Sequence, residues 1–286
     1  MNDNDYQDRR AKDDMRIFIP TRGRMERRIT VRYMFVEDLV KDGYLVDLVV
    51  PECEAEAWKR NTSTNFVGVH VVPDSWEFSD IRQGILEGCA GDLHFVVDDD
   101  LYFYRRTGDG VKLRKSTYQD IKAMIRWISL QYQRGTVHGG ISMREGNNRL
   151  VPYHQNGDYV RNTRVCRAHF YRPDVLRTEG FDFRDVRTKQ DFHCTLSLLE
   201  LGYPNHVSVE FAQNQAGSNS TGGCSRYRTK EVMDDGAHRL HELHPESVTV
   251  VEKETLGAWG GGVRTDVRCA WKKAFMSRSD ERRFQP

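Results

Sequence analysis

Along the first hundred residues, short apolar runs alternate with stretches whose apolar residues recur at helical spacing. Met15–Pro20 (MRIFIP) is an apolar run closed by proline and predicts a strand, followed by a turn at Arg22-Gly23-Arg24. Between Met25 and Lys41 the residues Ile29, Tyr33, Val36, Leu39 and Val40 share one helical face and Gly43 supplies a stop, so a single helix is predicted. Tyr44–Val50 (YLVDLVV) predicts a buried strand, Glu52–Arg60 a short helix, and Phe66–Val72 (FVGVHVV) a third strand. A helix capped by Ser79 and running to Gly88 precedes a fourth strand at Leu93–Val97 (LHFVV). Strands that are apolar on both faces and separated by helices read as a parallel sheet with helices packed on it, joined by right-handed crossovers.

Beyond the fourth strand the pattern changes. Thr117–Gln133 places Ile121, Met124, Ile125, Ile128 and Tyr132 on one side of a helix. Thr136–Met143 and Val165–Tyr171 read as strands, and Asp191–Leu201 as a helix ended by Gly202 and Pro204. His206–Phe211 alternates into a strand that leads to a Gly/Ser/Asn-rich stretch. The predicted fold class is α/β, with a mixed central sheet flanked by helices whose antiparallel part continues the sheet of the first half. Residues 1–14 predict a disordered tail and 276–286 a flexible one, around a single domain at 15–275.

Composition adds boundaries. With 286 residues, 38% hydrophobic and 10% aromatic, the chain can bury a substantial core without staples. It has no run of 18 apolar residues, so no membrane partner is expected, and its start lacks the apolar stretch of a secretory signal. Six scattered cysteines without a CxxC pair argue against a zinc ribbon and for a reducing, cytoplasmic compartment. A net charge of +1 excludes a strongly basic nucleic-acid binder, yet 32 of 43 basic residues are Arg, whose planar fork matches phosphate oxygens. A GC-rich coding sequence enriches Arg as well, so the count alone names no partner.

The candidate chemistry starts at VVDDDLYF, where Asp98, Asp99 and Asp100 follow the fourth apolar run. Ligands of open α/β sheets bind beyond the carboxyl ends of the strands. Three adjacent carboxylates repel one another there unless a divalent cation neutralises them. Oxygen donors suit Mg2+ or Mn2+, which commonly holds substrate phosphates too. The plainer reading is an acidic turn or helix cap. After the first strand, Gly23 permits close backbone approach, and Arg22 and Arg24 offer charge-assisted bonds to phosphate.

The order strand–PTRGR, Arg-bearing helix, hydrophobic-DDD-hydrophobic resembles the GT-A glycosyltransferases. That resemblance implies that Asp98 and Asp100, with Asp99 between them, form the DxD motif that binds a metal and the diphosphate of a nucleotide sugar. It places Thr21, Arg22 and Arg24 in the loop around base and ribose. It also places Asp80 and Arg82 of SDIRQGIL where base, ribose or diphosphate is reached, with Gln83 standing where the family usually has Asn. A salt bridge between Asp80 and Arg82 is the plainer alternative.

A second match spans His169–Tyr203. GT-A enzymes commonly carry there a strand, a Gly-Phe-Asp turn and a helix opened by an acidic pair. Gln190 takes the place of the usual Glu and Asp191 that of the Asp, which in inverting members is the base on the acceptor hydroxyl. A cap favoured by the helix dipole is the competing role, and Asp185 is the next candidate base. Phe181 and Phe183 read as core anchors and His193 as a packed or exposed helix residue. Where many GT-A enzymes place a third metal ligand, often His, this chain has Gln213, Asn214 and Gln215. His238, His241 and His244 read as a solvated helix face, with a metal shared by His238 and His241 as the alternative. The Gly217–Gly223 loop offers backbone donors for phosphate. Arg226, Tyr227 and Arg228 could meet a nucleic-acid backbone and a splayed base, and Leu256–Asp266 reads as a lid or a plain loop.

IPTRGR, VDDDL, HQNGDYVRN, QDFHCTLSLLELGYPN and NQAGSNSTGGCSRYRT narrow the likeness. They resemble phage TET-associated glycosyltransferases, which are linked with base J glucosyltransferases and act on 5-hydroxymethylpyrimidines in DNA. The resemblance implies a UDP-sugar donor held by residues 15–105 and an acceptor held by 106–275. The acceptor would be the hydroxymethyl group of 5-hydroxymethylcytosine, presented by base flipping or strand opening. Three readings compete. One is a glycosyltransferase acting on a glycan, protein or small molecule. Another is a metal-dependent nucleotidyltransferase, which needs further carboxylates for two metals. The third is a non-catalytic nucleic-acid binding module, which would tolerate loss of Asp98, Asp100 and Asp191.

Overall fold

A computed structural model describes residues 9, 11–61, 68–108, 112–147, 157–215, 229–255 and 262–282. The first half contains β1 (Met15–Pro20), α1 (Ile29–Tyr33), α2 (Val36–Lys41), β2 (Leu45–Pro51), α3 (Glu52–Asn61), β3 (Gly68–Val72), α4 (Phe78–Gly88) and β4 (Leu93–Val97). The strands run parallel in the order β3-β2-β1-β4. The second half adds β5 (Leu101–Arg106), β6 (Leu113–Lys115), α5 (Tyr118–Gln133), β7 (His138–Met143), α6 (Arg144–Asn147), β8 (Tyr159–Arg161) and β9 (Ala168–Tyr171). After these come α7 (Pro173–Thr178), α8 (Gln190–Glu200), β10 (Asn205–Gln215), α9 (Lys230–Leu243), β11 (Val248–Thr255), β12 (Gly262–Cys269) and α10 (Trp271–Arg282). β9 lies antiparallel to both β4 and β7, and β10 is parallel to β7 but antiparallel to β5 and β8. One mixed ten-stranded sheet therefore crosses both halves, in the order β3-β2-β1-β4-β9-β7-β10-β5-β6 with β8 on β10.

Side-chain alternation along β1 builds a core on each face of the sheet. Ile17 and Ile19 pack with Leu48, Phe95 and the apolar face of α5, whereas Phe18 packs with Val49, Val96 and Ile81 and Ile85 of α4. A third apolar cluster joins Leu196 and Leu199 of α8 to Ala237 and Leu240 of α9, Val248 and Val267 of the β11–β12 hairpin, and Ala274 of α10. Helix α8 is thus held between the sheet and a C-terminal layer.

Three expectations need correction. The helix expected from Met25 to Lys41 is two helices, with Phe35 between them in the left-handed region at φ 54°. Tertiary contacts override the periodicity, because Thr30 bonds to the turn after β4 and Phe35 packs edge-on against Tyr118 at 5.9 Å. The cap of α4 is Glu77 rather than Ser79, since the Asp80 carboxylate accepts from the Glu77 N–H at 2.8 Å and closes a capping box. Residues 11–14 are helical with Ala11 fully buried, and α10 runs to Arg282. Residues 262–266 of the stretch read as a lid or plain loop belong to β12, and 256–261 lie outside the described residues. Among the described residues no helix is long and apolar enough to cross a membrane, and Cys53, Cys89, Cys166, Cys194 and Cys269 are free thiols.

Burial holds His94, His138 and His206 down at about 4, His193 at about 3, and His169 well below the ordinary imidazole value. Unfolding lets each bind a proton near pH 6.5, so the stability is complete above that value and is lost as pH falls toward 4. Asp98 and Asp99, raised by burial to about 7 and about 6, oppose this over the same window but are outnumbered. The melting temperature is therefore expected to drop between about pH 7 and about pH 5. A rise over that interval, measured by thermal denaturation in matched buffers, contradicts it.

Candidate active site

β1 and β4 are parallel neighbours, so the segments following them open on the same edge of the sheet. Helix α1 fixes the turn after β4. The Thr30 hydroxyl donates to the Asp98 carbonyl (2.6 Å) and accepts from the Leu101 N–H (2.9 Å), while the Thr30 N–H donates to the Asp99 carbonyl (3.1 Å). On the other side the Asp98 N–H donates to the Arg167 carbonyl at 2.8 Å.

The loop after β1 divides its residues. Thr21 is buried and its hydroxyl hydrogen-bonds Asp99. Arg22 turns away, donating to the carbonyls of Trp76 (3.0 Å) and Asp74. Gly23 sits at φ 67°, and its N–H donates to Glu54 Oε1 at 2.7 Å. Arg24 turns into the carboxylates, pairing with Asp99 and with Asp100 Oδ2 at 2.8 Å. Arg82 is only 2% exposed, lies between the rings of Phe78 (4.7 Å) and Phe183 (5.9 Å), and has Nη2 3.4 Å from Asp98 Oδ1. It pairs with Asp98 and not with Asp80, whose carboxylate closes the cap of α4. From the end of β10, Gln215 Nε2 donates to Asp100 Oδ2 at 2.9 Å.

Three carboxylates thus face two guanidiniums. Burial pushes Asp98 up to about 7 against the pull of Arg82, with Asp100, Asp191 and Asp99 adding repulsion. Burial likewise takes Asp99 to about 6 against Arg24. Burial also opposes the Arg82 charge, but Asp98 and then Asp191 sustain it. Asp99 Oδ2 and Asp100 Oδ1 are buried with no hydrogen-bond partner among the described residues. Orphaned carboxylate oxygens of this kind fit a hard cation that completes its shell with substrate phosphates. No group of three His, Cys, Asp or Glu side chains among the described residues could enclose an ion, so the protein would supply only part of such a shell.

Asp191 is the second residue of α8, whose N-cap, Lys189, is left-handed at φ 66°. Its Oδ1 accepts from the Phe192 N–H at 3.0 Å within the first turn, and its charge also acts on Asp98 and Arg82. Gln190 steadies the same turn by donating to the Arg187 carbonyl at 2.7 Å. Asp185 lies elsewhere, half-exposed and 3.7 Å from His193. His193 is packed, 2.9 Å from His244, which is itself 2.8 Å from Glu200. The solvated histidine face therefore holds for His238 only, since His244 is buried and the His241 ring bonds the Val248 carbonyl at 2.7 Å. Thr30 and the Arg167 carbonyl hold the carboxylate turn without any local sequence signal. Arg226, Tyr227 and Arg228, with the rest of the glycine-rich stretch 216–228, lie outside the described residues, as do 256–261.

No protein-family model matches the sequence. The chain is 21% identical over 242 residues to beta-glucosyl-HMC-alpha-glucosyl-transferase of Enterobacteria phage T6, spanning 77% of this chain and 81% of that protein. The protein of the same name from Enterobacteria phage T2 is 20% identical over 257 residues, 82% of this chain and 87% of its own length. Among solved structures, glucosyl-3-phosphoglycerate synthase from Mycobacterium tuberculosis, in complex with Mg2+ and uridine diphosphate, superposes with a TM-score of 0.53 at 10% identity, over 95% of this chain and 96% of that one. Mannosyltransferase PcManGT from Pyrobaculum calidifontis, in complex with GDP-Man and Mn2+, gives a TM-score of 0.53 at 12% identity, over 80% of this chain and 62% of that one. The sheet order, the carboxylate turn after β4 and these likenesses agree: the chain is a glycosyltransferase of the GT-A fold and a distant homologue of the phage glucosyltransferases.

Proposed function

We propose that this enzyme moves a sugar from a UDP-sugar to the hydroxymethyl group of 5-hydroxymethylcytosine in DNA, in the cytoplasm, with Mn2+ or Mg2+ held by Asp98 and Asp100. The observation that carries the reading is electrostatic: Asp98, Asp99, Asp100, Arg24, Arg82 and Asp191 act on one another at one edge of the sheet. The cation, when bound, stabilises charge on the departing diphosphate. Arg24 and Arg82 pull against the burial that raises Asp99 and Asp98 and add positive charge beside the nucleotide, which the Thr21–Arg24 loop and the Asp80–Arg82 segment flank. Asp191 takes the proton of the acceptor hydroxyl while that oxygen bonds the anomeric carbon. The bond from that carbon to the diphosphate breaks, and UDP leaves with the electron pair. Arg226, Tyr227 and Arg228 meet the DNA.

The names of the phage relatives support a nucleic-acid acceptor and favour a second reading, in which the accepting hydroxyl belongs to a glucose already on the modified base. The test is incubation with a panel of UDP-sugars, metal, and DNA that is unmodified, hydroxymethylated or glucosylated, followed by mass spectrometry of the nucleosides. A hexose added to hydroxymethylcytosine is expected. Addition only to glucosylated DNA selects the second reading, and no addition to any DNA overturns both.

A further inference from the structure

A groove of about 830 Å3 opens between β8, with the loop that follows it, and the start of α10. Tyr159, Arg161, Thr163, Trp271, Lys272 and Lys273 line it, and no acidic residue does so among the described residues. Arg161 and Lys272 are exposed without a carboxylate partner among the described residues, while Lys273 faces the exposed Glu246 at 3.1 Å. The Tyr159 ring is held by two contacts. Tyr159 stacks on His206 with ring centroids 4.1 Å apart, and its hydroxyl accepts from Arg161 Nη2 at 3.0 Å.

A chain of contacts leads from the groove toward the catalytic edge. Trp271 meets the ring of Phe192 edge-on at 5.3 Å, and the Arg164 guanidinium lies over that same ring at 4.6 Å. Phe192 is the residue after Asp191. The buried Cys166 thiol feels Arg164, Asp191, Arg167 and Asp98 together, so the segment between β8 and β9 lies beside both the groove and the carboxylates. Positive charge along a groove, interleaved with fixed aromatic faces, is the arrangement that holds a nucleic-acid strand through its phosphates and bases.

We propose that this groove holds the acceptor DNA strand on the way to Asp191, with Arg161 and Lys272 on phosphates and Trp271 under a base; the assignment rests on the DNA reading above. The test is the double variant Arg161→Glu/Lys272→Glu, with Lys41→Glu/Lys59→Glu as a reversal of two exposed charges outside the groove. Binding of a fluorescent hydroxymethylcytosine duplex is followed by anisotropy across a salt series. The groove variant is expected to bind at least about tenfold more weakly at low salt, with a log–log salt slope shallower by about two, because two phosphate contacts and their counterion release are lost. The distant variant stays close to wild type. UDP affinity in Mn2+, measured by calorimetry, and melting temperature are unchanged for both, which separates the effect from misfolding. If wild type binds DNA and the two variants bind it equally, the groove assignment is overturned and the DNA reading stands. If wild type shows no salt-dependent DNA binding at low salt, the DNA reading falls and this assignment falls with it.

Discussion

Asp100→Ala is expected to abolish sugar transfer and weaken UDP binding in Mn2+ while leaving thermal stability unchanged or raised. Asp100 is 1% exposed and stands beside two further carboxylates, both already pushed upward by burial and mutual repulsion. Removing one partner of a buried ion pair commonly costs about 3–5 kcal/mol, because the other charge is left uncompensated. Here Arg24 keeps Asp99, and the like-charge repulsion on Asp98 and Asp99 falls, so that penalty is not incurred. What is lost is a buried, unpartnered carboxylate oxygen that would hold the proposed cation. Removing a preorganised electrostatic group of this kind lowers turnover by about 10²–10³-fold or more. Calorimetric titration of UDP with and without Mn2+, alongside melting curves, reads both halves of the expectation. Full activity of EDTA-stripped wild type without added metal would sink the metal assignment.

The parts of this fold legible in the sequence are those whose burial is decided locally. β1, β2 and β4 are apolar on both faces, and their boundaries fall within a residue or so of the expected ones. β5 starts directly after the three aspartates and ends in two arginines, and it is a strand because β10, more than a hundred residues later, pairs with it. The break at Phe35 and the hairpin under α8 likewise follow from contacts made after collapse. The site divides in the same way. Asp98–Asp100 and Asp191 can be picked out because each carboxylate sits at the end of a readable strand or the start of a readable helix. The partners chosen by Arg24, Arg82 and Gln215 cannot, since 75, 16 and 115 positions separate them from Asp99, Asp98 and Asp100. His238, His241 and His244 look alike in sequence, but only the packing of α9 against α8 tells the buried one from the exposed one.

Asp191→Asn is expected to lower kcat by about 10²–10⁴-fold, the usual range for losing general-base assistance, with UDP affinity close to wild type. The amide oxygen can still accept from the Phe192 N–H, so the start of α8 survives and only the proton acceptor disappears. Donor binding is not weakened, because Asp191 contributes to the repulsion that raises Asp98, and its loss lets Asp98 ionise more readily. A fall of only a few fold would mean that Asp191 serves only the first turn of α8. Asp185→Asn is the parallel variant, and its half-exposed position beside His193 predicts a much smaller effect than at Asp191. The stereochemistry of the product supplies an independent test. A base acting on the face opposite the diphosphate forces inversion, so an α-linked UDP-glucose donor must yield a β-linked product. The phage relatives are named for α-glucosyl transfer, which makes this readout decisive. An α-linked product from the same donor removes Asp191 from the base role whatever its kcat. A β-linked product together with a slow Asp191→Asn variant of unchanged UDP affinity leaves the acceptor proton no other destination among the candidates at this edge of the sheet.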